Sequence, residues 1–373
     1  MSLRLGTQYL VVGSSPSISI GWTSECNNGW RYLRTLCRTE LFLWQSIGVS
    51  SLFEGEKVME FVEFLRSKEG QVVNSGELVF ATVLNMLSNV LISKDMVNLE
   101  KETKDSAMES LIWEIMEVAA APNISDFYPI FGNLDLQGLR KKSIHVVTKF
   151  YSKWEPILEE RRNSRDNGSS SQQDFVGTLL DNGFTNDRIH QLFMDIVYDK
   201  LPFNPVEELL AAGSDTSTST IECVMTELIK NVESMKKVQD ELEIELSESD
   251  CPKESQLLQM SYVQACVKET LRLHLPAPLM LPHRAITRDP LIWEEPEMFR
   301  PQRFLSSDMD FKGNDFEFLP FGAGRRIFLS SLVHFFDWEL AHGKCPADLD
   351  MTEKFGAVLQ KKEPVLLIPK ARK

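Results

Sequence analysis

The stretch FLPFGAGRRIF at residues 318–328 gives the clearest indication of the fold of this chain. Pro320 precedes Gly322 and Gly324, and this spacing predicts a tight loop whose backbone amides can point inward. Two arginines follow the second glycine and add positive charge, while the phenylalanines of the stretch supply an apolar wall. Such a loop suits a flat, apolar ligand that carries anionic groups. Taken alone, the stretch fits a plain surface turn equally well.

Length and composition bound the class of protein. The chain has 373 residues, of which 43% are hydrophobic, as in a globular protein of one large domain or a few smaller ones. Its formal net charge of −14 argues against non-specific nucleic-acid binding, which requires a basic face. The six cysteines show neither a Cys-x-x-Cys pair nor zinc-like spacing, which indicates reduced thiols in a protein facing the cytosol.

The sequence also predicts a chain without a membrane anchor. No run of apolar residues approaches the roughly 18 that a membrane span needs. The first residues do not resemble a signal peptide.

Helical patterning dominates the rest of the chain. Apolar side chains recur at three- and four-residue spacing over residues 55–161, for example at Phe61 and Leu65. Alternation over residues 3–12 predicts one or two short strands. The polar residues 161–173 predict a flexible loop, after which Asp174 begins another helix. The expected fold class is therefore mainly α with a small β region.

Two pairs of residues each share one face of a predicted helix. Trp30 and Arg34 are four apart, and the simplest interpretation is an aromatic ring packed on an arginine stem. Glu269 and Arg272 are three apart, a spacing most often found in solvated ion pairs.

A cluster of small and hydroxyl residues, AAGSDTS, lies at residues 211–217. Such a cluster is typical of a linker or a helix cap, but the residues on both sides of this one favour helix. A glycine with hydroxyl residues inside a helix permits a local opening of the backbone hydrogen bonds.

Taken in order, these motifs resemble the cytochrome P-450 superfamily, most closely plant enzymes that hydroxylate alkaloids or terpenoids, such as the N-methylcoclaurine and geraniol hydroxylase types. The resemblance covers nearly the whole chain. It implies one cytochrome P-450-like domain over residues 1–373, mainly helical with a small sheet and incomplete.

The resemblance implies a heme site. Trp30 and Arg34 would donate hydrogen bonds to a heme propionate. The loop at residues 318–328 would hold the heme through four residues: Phe321, Gly322, Gly324 and Arg326.

It also implies roles for two further groups of residues. Thr216 would hold water or bound dioxygen, and Asp215 would relay protons. Glu269 and Arg272 would be buried together as a structural charge cluster, completed by Arg303.

The sequence departs from the family pattern at the position that matters most. The family places a cysteine after Gly-Arg-Arg-Ile, whose thiolate binds the heme iron, and this chain has Phe328 there, so no metal ligand is predicted. Segments of the family pattern are missing near residues 20, 286 and 328, and residues 197–205 resemble an insertion.

Two functional hypotheses follow. In the first, the chain is a heme-dependent monooxygenase that hydroxylates a small apolar substrate, using dioxygen and electrons from an NADPH-dependent flavoprotein reductase. In the second, it is a catalytically dead remnant. The family lies on the cytosolic face of the endoplasmic reticulum, and without an anchor this chain is expected in the cytosol.

Overall fold

The computed structural model describes residues 2–5, 8–11, 35, 39, 44–99, 110–111, 114, 118, 121, 124, 128, 134–166, 174–184, 213–246, 252, 254–257, 259–275, 286–307, 309, 318, 326–354 and 359–372. Helices predominate, as predicted: α1 (Trp44–Ser67), α2 (Ser75–Ile92), α3 (Leu139–Asp166), α4 (Phe175–Asp181), α5 (Gly213–Lys230), α6 (Val232–Glu245), α7 (Glu254–Leu257), α8 (Ser261–Leu273) and α9 (Arg326–Phe335). The strands are short: β1 (Ser2–Leu5), β2 (Gln8–Val11), β3 (Val73–Asn74), β4 (Phe336–Leu340), β5 (Glu353–Lys354), β6 (Gln360–Lys361) and β7 (Leu366–Ala371).

The chain divides into two compact units. Unit 1 comprises residues 1–49, 87–96 and 106–213, and unit 2 comprises residues 50–86, 97–105 and 214–373.

Unit 1 contains the predicted N-terminal strands and the helices α3 and α4. Strands β1 and β2 pair antiparallel, with Ser2 opposite Val11. Helix α3 buries one stripe of large side chains at four-residue spacing, Val146, Phe150, Trp154 and Leu158.

Helix α3 is longer than the sequence suggests. The polar loop was expected to begin at Arg161, but the helix continues to Asp166. Two of its arginines have partners, since Arg161 forms an ion pair with Asp174 at 2.8 Å and Arg162 donates to the carbonyl of Phe184. These bonds stabilise the last turns of the helix. Residues 167–173 lie outside the described residues.

Helix α4 begins where the sequence predicts it. The side chain of Asp174 caps this helix, because Oδ1 accepts a hydrogen bond from the amide of Gly177 at 2.7 Å.

Unit 2 packs helices α5 to α9 around a small sheet with the strand order β3-β7-β4. Strand β4 follows α9 without an intervening loop, and it pairs antiparallel with β7, Phe336 lying opposite Ala371. Strands β5 and β6 form a separate two-stranded ribbon.

Helix α8 is the central packing element of unit 2. It contacts α6, α9 and the 3-10 turn Pro301–Phe304, and it buries ten of its side chains. Its N-cap residue, Met260, makes no side-chain cap. Glu241 of α6 replaces the cap, because its two carboxylate oxygens accept hydrogen bonds from the amides of Tyr262 and Val263 at 2.9 and 2.8 Å.

One described helix is long and apolar enough to cross a membrane by length and composition, so the expectation that no segment reaches this limit was wrong. This helix is α2, and 61% of its 18 residues are buried by protein. Burial in a protein core selects the same composition, and the polar residues scattered along α2 hid it from a search for uninterrupted apolar runs.

Candidate functional site

Asp215 lies in the first turn of α5, where the AAGSDTS cluster enters the helix. Its side chain is only 2% exposed, and Oδ1 has no hydrogen-bond partner among the described residues. The backbone is helical without a break from Gly213 to Lys230, so the local opening that the glycine suggested does not lie within these residues.

Burial raises the pKa of Asp215 to about 7. A helix N-terminus favours the ionised carboxylate, but here the loss of solvent is the larger effect. Near neutral pH both protonation states are therefore populated, and the carboxyl can donate or accept a proton.

Thr216, the next residue of α5, is half-buried. Its carbonyl accepts a hydrogen bond from the hydroxyl of Thr220, one turn later, at 2.8 Å. Asp215 and Thr216 are thus consecutive residues in the first turn of α5, the acid buried and the alcohol half-buried.

Glu269, Arg272 and Arg303 are brought together. The side chains of Glu269 and Arg272 are fully buried and form two parallel bonds of 2.9 Å, from Nε to Oε2 and from Nη2 to Oε1. Arg303 donates from Nε to Oε1 of Glu269 at 3.0 Å, and the backbone amide of Arg300 donates to the same oxygen at 2.9 Å.

The remaining donors of Arg272 bind backbone carbonyls. Nη1 donates to the carbonyls of Thr287 and Pro296, both at 2.7 Å. The guanidinium groups of Arg272 and Arg303 also lie over the indole of Trp293, at 5.2 and 5.9 Å from the ring centroid. Because each guanidinium bonds to Glu269 and donates further to backbone carbonyls, this cluster fastens residues 286–304 to α8.

Phe328, at the position of the family's metal ligand, is a core residue of unit 2. It lies on α9, is 3% exposed, and meets Phe61 of α1 edge-on, with ring centroids 6.0 Å apart. Its neighbours Leu329 and Val333 are fully buried as well. A phenyl ring has no donor atom, so this side chain cannot bind a metal ion.

Most of the residues predicted to contact heme lie outside the described part of the chain. Trp30 and Arg34 lie outside the described residues, as do the three loop residues Phe321, Gly322 and Gly324. Arg326 is the first residue of α9, and its side chain lies outside the described part. Their arrangement around a ligand therefore stays a prediction, as do the segments near residue 20 and at residues 197–205.

Sequence reasoning missed a buried histidine between two carboxylates. Nε2 of His274 lies 2.8 Å from Oε1 of Glu227, and Nδ1 lies 3.0 Å from Oε1 of Glu353. Burial alone would lower the pKa of His274, but the hydrogen bonds to the two carboxylates outweigh it and raise that pKa. The three residues are far apart in sequence and match no motif, so only folding brings them together. Within the described residues, no group of His, Cys, Asp and Glu has a metal-binding arrangement.

Comparison with known proteins shows the family. The family model described as Cytochrome P-450 matches residues 11–288 and 280–368. A probable (S)-N-methylcoclaurine 3'-hydroxylase isozyme 2 of Coptis japonica is 39% identical over 437 residues, covering 100% of this chain and 86% of the relative. The isozyme 1 enzyme of Papaver somniferum is 38% identical, covering 100% and 88%, and a corytuberine synthase of Coptis japonica is 38% identical, covering 95% and 76%.

The first of these alignments is longer than the chain itself, so that relative carries residues for which this chain has no counterpart. The identity nevertheless extends along the full chain and includes helices of both units. By its family match and its relatives, this chain belongs to the plant branch of the cytochrome P-450 family, the hydroxylating monooxygenases.

Proposed function

We propose that this chain has the framework of a heme-dependent monooxygenase for a small apolar plant alkaloid or terpenoid. The names of the relatives support this substrate class, since two of them are hydroxylases of an alkaloid precursor. The proposed partners are the substrate and an NADPH-dependent flavoprotein reductase as electron source. The family lies on the cytosolic face of the endoplasmic reticulum, and the location proposed for this chain is the cytosol.

The start of α5 supports the proposal. Asp215 is a buried acid whose pKa of about 7 allows proton transfer near neutral pH, and Thr216 adds a hydroxyl next to it. We assign proton relay to Asp215 and the holding of water to Thr216. Trp30, Arg34, Phe321, Gly322, Gly324 and Arg326 are the proposed heme contacts.

Position 328 does not fit heme-thiolate chemistry. In the family a cysteine thiolate at this position supplies electron density for cleavage of the O–O bond. Here the position holds a phenyl ring buried against Phe61. We therefore infer that the chain in this form is catalytically silent, and the packing of Phe328 is the observation that carries this conclusion.

Two other residues could be considered as substitute ligands, and neither is suited. Cys345 is exposed and lies beyond β4, at the start of the 3-10 turn Pro346–Asp348. His334 is at the end of α9, where its ring packs on that of Phe335 at 4.7 Å between centroids.

The absence of a thiolate ligand to the heme iron can be tested spectroscopically. The chain is reconstituted with heme, reduced and exposed to carbon monoxide, in parallel with Cys345→Ser. We expect no red-shifted Soret band of the thiolate type in either protein. A thiolate band in the native chain that disappears in Cys345→Ser would overturn the proposal of a silent chain.

The substrate class can be tested without heme. A ligand that binds only the folded chain raises its unfolding temperature, by an amount set by affinity and concentration. We expect a benzylisoquinoline alkaloid to raise it more than an equally apolar compound unrelated to alkaloids or terpenoids. Equal shifts in unfolding temperature would contradict the proposed substrate class. They would leave the conclusion about the iron ligand unaffected.

A further inference from the structure

His274 ends helix α8 and lies inside unit 2. Its backbone amide donates to the carbonyl of Thr270 at 2.7 Å, which closes the last turn of the helix. The imidazole is 8% exposed. Each ring nitrogen faces a carboxylate oxygen of a different element, Glu227 on α5 and Glu353 on β5.

The two contacts of His274 determine the protonation state of its ring. A neutral imidazole has one N–H donor and one acceptor nitrogen, whereas an ionised carboxylate only accepts. Both contacts can be hydrogen bonds between His274 and ionised carboxylates only if the ring is an imidazolium. The alternative, a neutral ring with the proton on Glu227 or Glu353, is distinguishable by experiment.

The surrounding charges favour the imidazolium. Among the described residues, the other charged groups that affect this part of α5 are Glu222 and Lys361 of β6. Cys223, also on α5, stays a thiol because burial raises its pKa. A proton on His274 offsets part of the negative charge of Glu227 and Glu353, the two carboxylates in contact with the ring.

The neighbouring side chains hold the two ends of the cluster in place. Asn231 donates to Oε2 of Glu227 at 3.2 Å, and Arg288 donates to the carbonyl of Leu273, next to the histidine, at 2.7 Å. Movement is therefore restricted on the side of α5 and α8. Strand β6 is held to α5 independently, because the hydroxyl of Ser219 donates to the carbonyl of Leu359, so β5 is the strand that depends on the third contact.

We propose that protonated His274 fastens strand β5 to α5 and α8, and that loss of this proton as the pH rises releases this strand. Deprotonation turns one of the two hydrogen bonds into a repulsion between a ring lone pair and a buried carboxylate. Glu227 lies within the 18-residue helix α5, whereas Glu353 lies on the two-residue strand β5, so β5 is the part that opens.

The direction of the pH effect follows from the raised pKa of His274. A group whose pKa is higher in the folded chain contributes stability that is complete below its unfolded pKa and is lost as the pH rises through the folded one. Asp215 and Glu222, whose pKa values burial also raises, act in the same direction. Only a comparison between variants isolates the contribution of His274.

The test uses the full chain and two measurements. Imidazole nitrogen chemical shifts in ¹⁵N-histidine-labelled protein report the ionisation state of His274, assigned through backbone correlations. Amide hydrogen exchange of the strands Glu353–Lys354 and Gln360–Lys361 reports release of β5, after correction for the intrinsic effect of pH. His145→Gln, at an exposed position of α3, is the control.

We expect an imidazolium at pH 6.5 and a loss of protection in β5 as the pH rises. Glu353→Gln removes one carboxylate and is expected to move both the titration of His274 and the loss of protection to lower pH, while His145→Gln changes neither. A neutral ring at pH 6.5 in the native chain would overturn the proposal. So would a loss of protection at the same pH in the native chain and in Glu353→Gln.

Discussion

Arg303 reaches Glu269 across 34 residues of the chain, its Nε donating to Oε1 at 3.0 Å. The carboxylate that receives this bond is fully buried and already holds Arg272. One glutamate therefore joins the turn Pro301–Phe304 to α8 and binds two cations inside unit 2.

Removing Arg303 is expected to destabilise the chain strongly. Breaking a buried ion pair typically costs about 3–5 kcal/mol, because one charge loses its partner without access to water. Because Arg272 still neutralises Glu269, Arg303→Ala leaves no buried charge unpaired, and we expect its cost to lie below that range, at about 1.5–3 kcal/mol, the value of a hydrogen bond to a charged group, measured by urea unfolding.

Arg300→Ala is the matched control for this measurement. The side chain of Arg300 is 40% exposed and pairs with Glu294 and Glu295 at the surface, where such a pair contributes roughly 0–1 kcal/mol. Its backbone amide, which binds Glu269, is unchanged by the substitution. Equal costs for the two variants would show that the buried cluster is no stronger than a surface pair.

Phe328 is expected to contribute to stability as a core residue. Truncating a buried phenylalanine typically costs about 3–5 kcal/mol, and we expect Phe328→Ala to fall in this range, with a smaller loss for Phe328→Leu. The measurement is chemical unfolding of the variants without heme. A loss close to zero in Phe328→Ala would mean that the ring does not fill the core against Phe61.

The contact between the two rings can be measured separately. Edge-to-face aromatic pairs contribute about 0.5–1.5 kcal/mol beyond the area that they bury. A double-mutant cycle with Phe61→Leu and Phe328→Leu is expected to give a coupling in this range. If the two substitutions changed the free energy of unfolding additively, the two rings would not be in contact.

Asp215 is expected to make the stability of the chain depend on pH. Its pKa rises from 3.8 to about 7 on folding, so its contribution is complete below pH 4 and is lost as the pH rises through 7. The full effect is on the order of 4 kcal/mol. Asp215→Asn should therefore lose less stability than the native chain between pH 5 and pH 9.

Unfolding curves at several pH values test this, with Asp181→Asn as the control at an exposed position of α4. The control should keep the native pH profile. If Asp215→Asn kept that profile too, the carboxyl would not be the group that burial perturbs.

Two helical glycines are expected to respond in opposite directions to alanine. A Cβ atom at Gly76, in the first turn of α2, would lie 3.0 Å from Oε1 of Glu222, an oxygen that also accepts from the amide of Val365 at 3.1 Å. The carboxylate cannot retreat without losing that bond, and we expect Gly76→Ala to cost about 1–3 kcal/mol.

Gly55 in α1 is the comparison. Nothing lies within 4 Å of a Cβ atom placed there, so Gly55→Ala should stabilise the helix by about 0.5–1 kcal/mol. Calorimetric unfolding of both variants gives the sign directly. A stabilising Gly76→Ala would show that Glu222 can move.

The sequence predicts what depends on local pattern or on a familiar motif. The helices described within residues 55–161 and the start of α4 at Asp174 follow from periodicity and capping. The absence of a ligand atom at position 328 is evident from the residue itself. None of these requires knowledge of distant contacts.

The rest depends on contacts between residues far apart in sequence. The extension of α3 to Asp166 is supported by carbonyl and carboxylate partners that the polar pattern does not reveal. His274 meets Glu227 and Glu353 only after folding, and the pattern LRLH gives no hint of either. That Phe328 belongs to a core rather than to a damaged loop likewise follows only from its contact with Phe61.

Helix α5 is attached to other parts of unit 2 at three places along its length. The hydroxyl of Ser219 donates to the carbonyl of Leu359, Glu222 accepts from Val365, and Glu227 holds His274. A slide of one residue would rotate the helix by about 100° and remove all three side chains from their partners. The helix therefore cannot slide or rotate without losing these contacts. They also fix the direction in which the side chain of Asp215 points, although the farthest of them lies about three turns away.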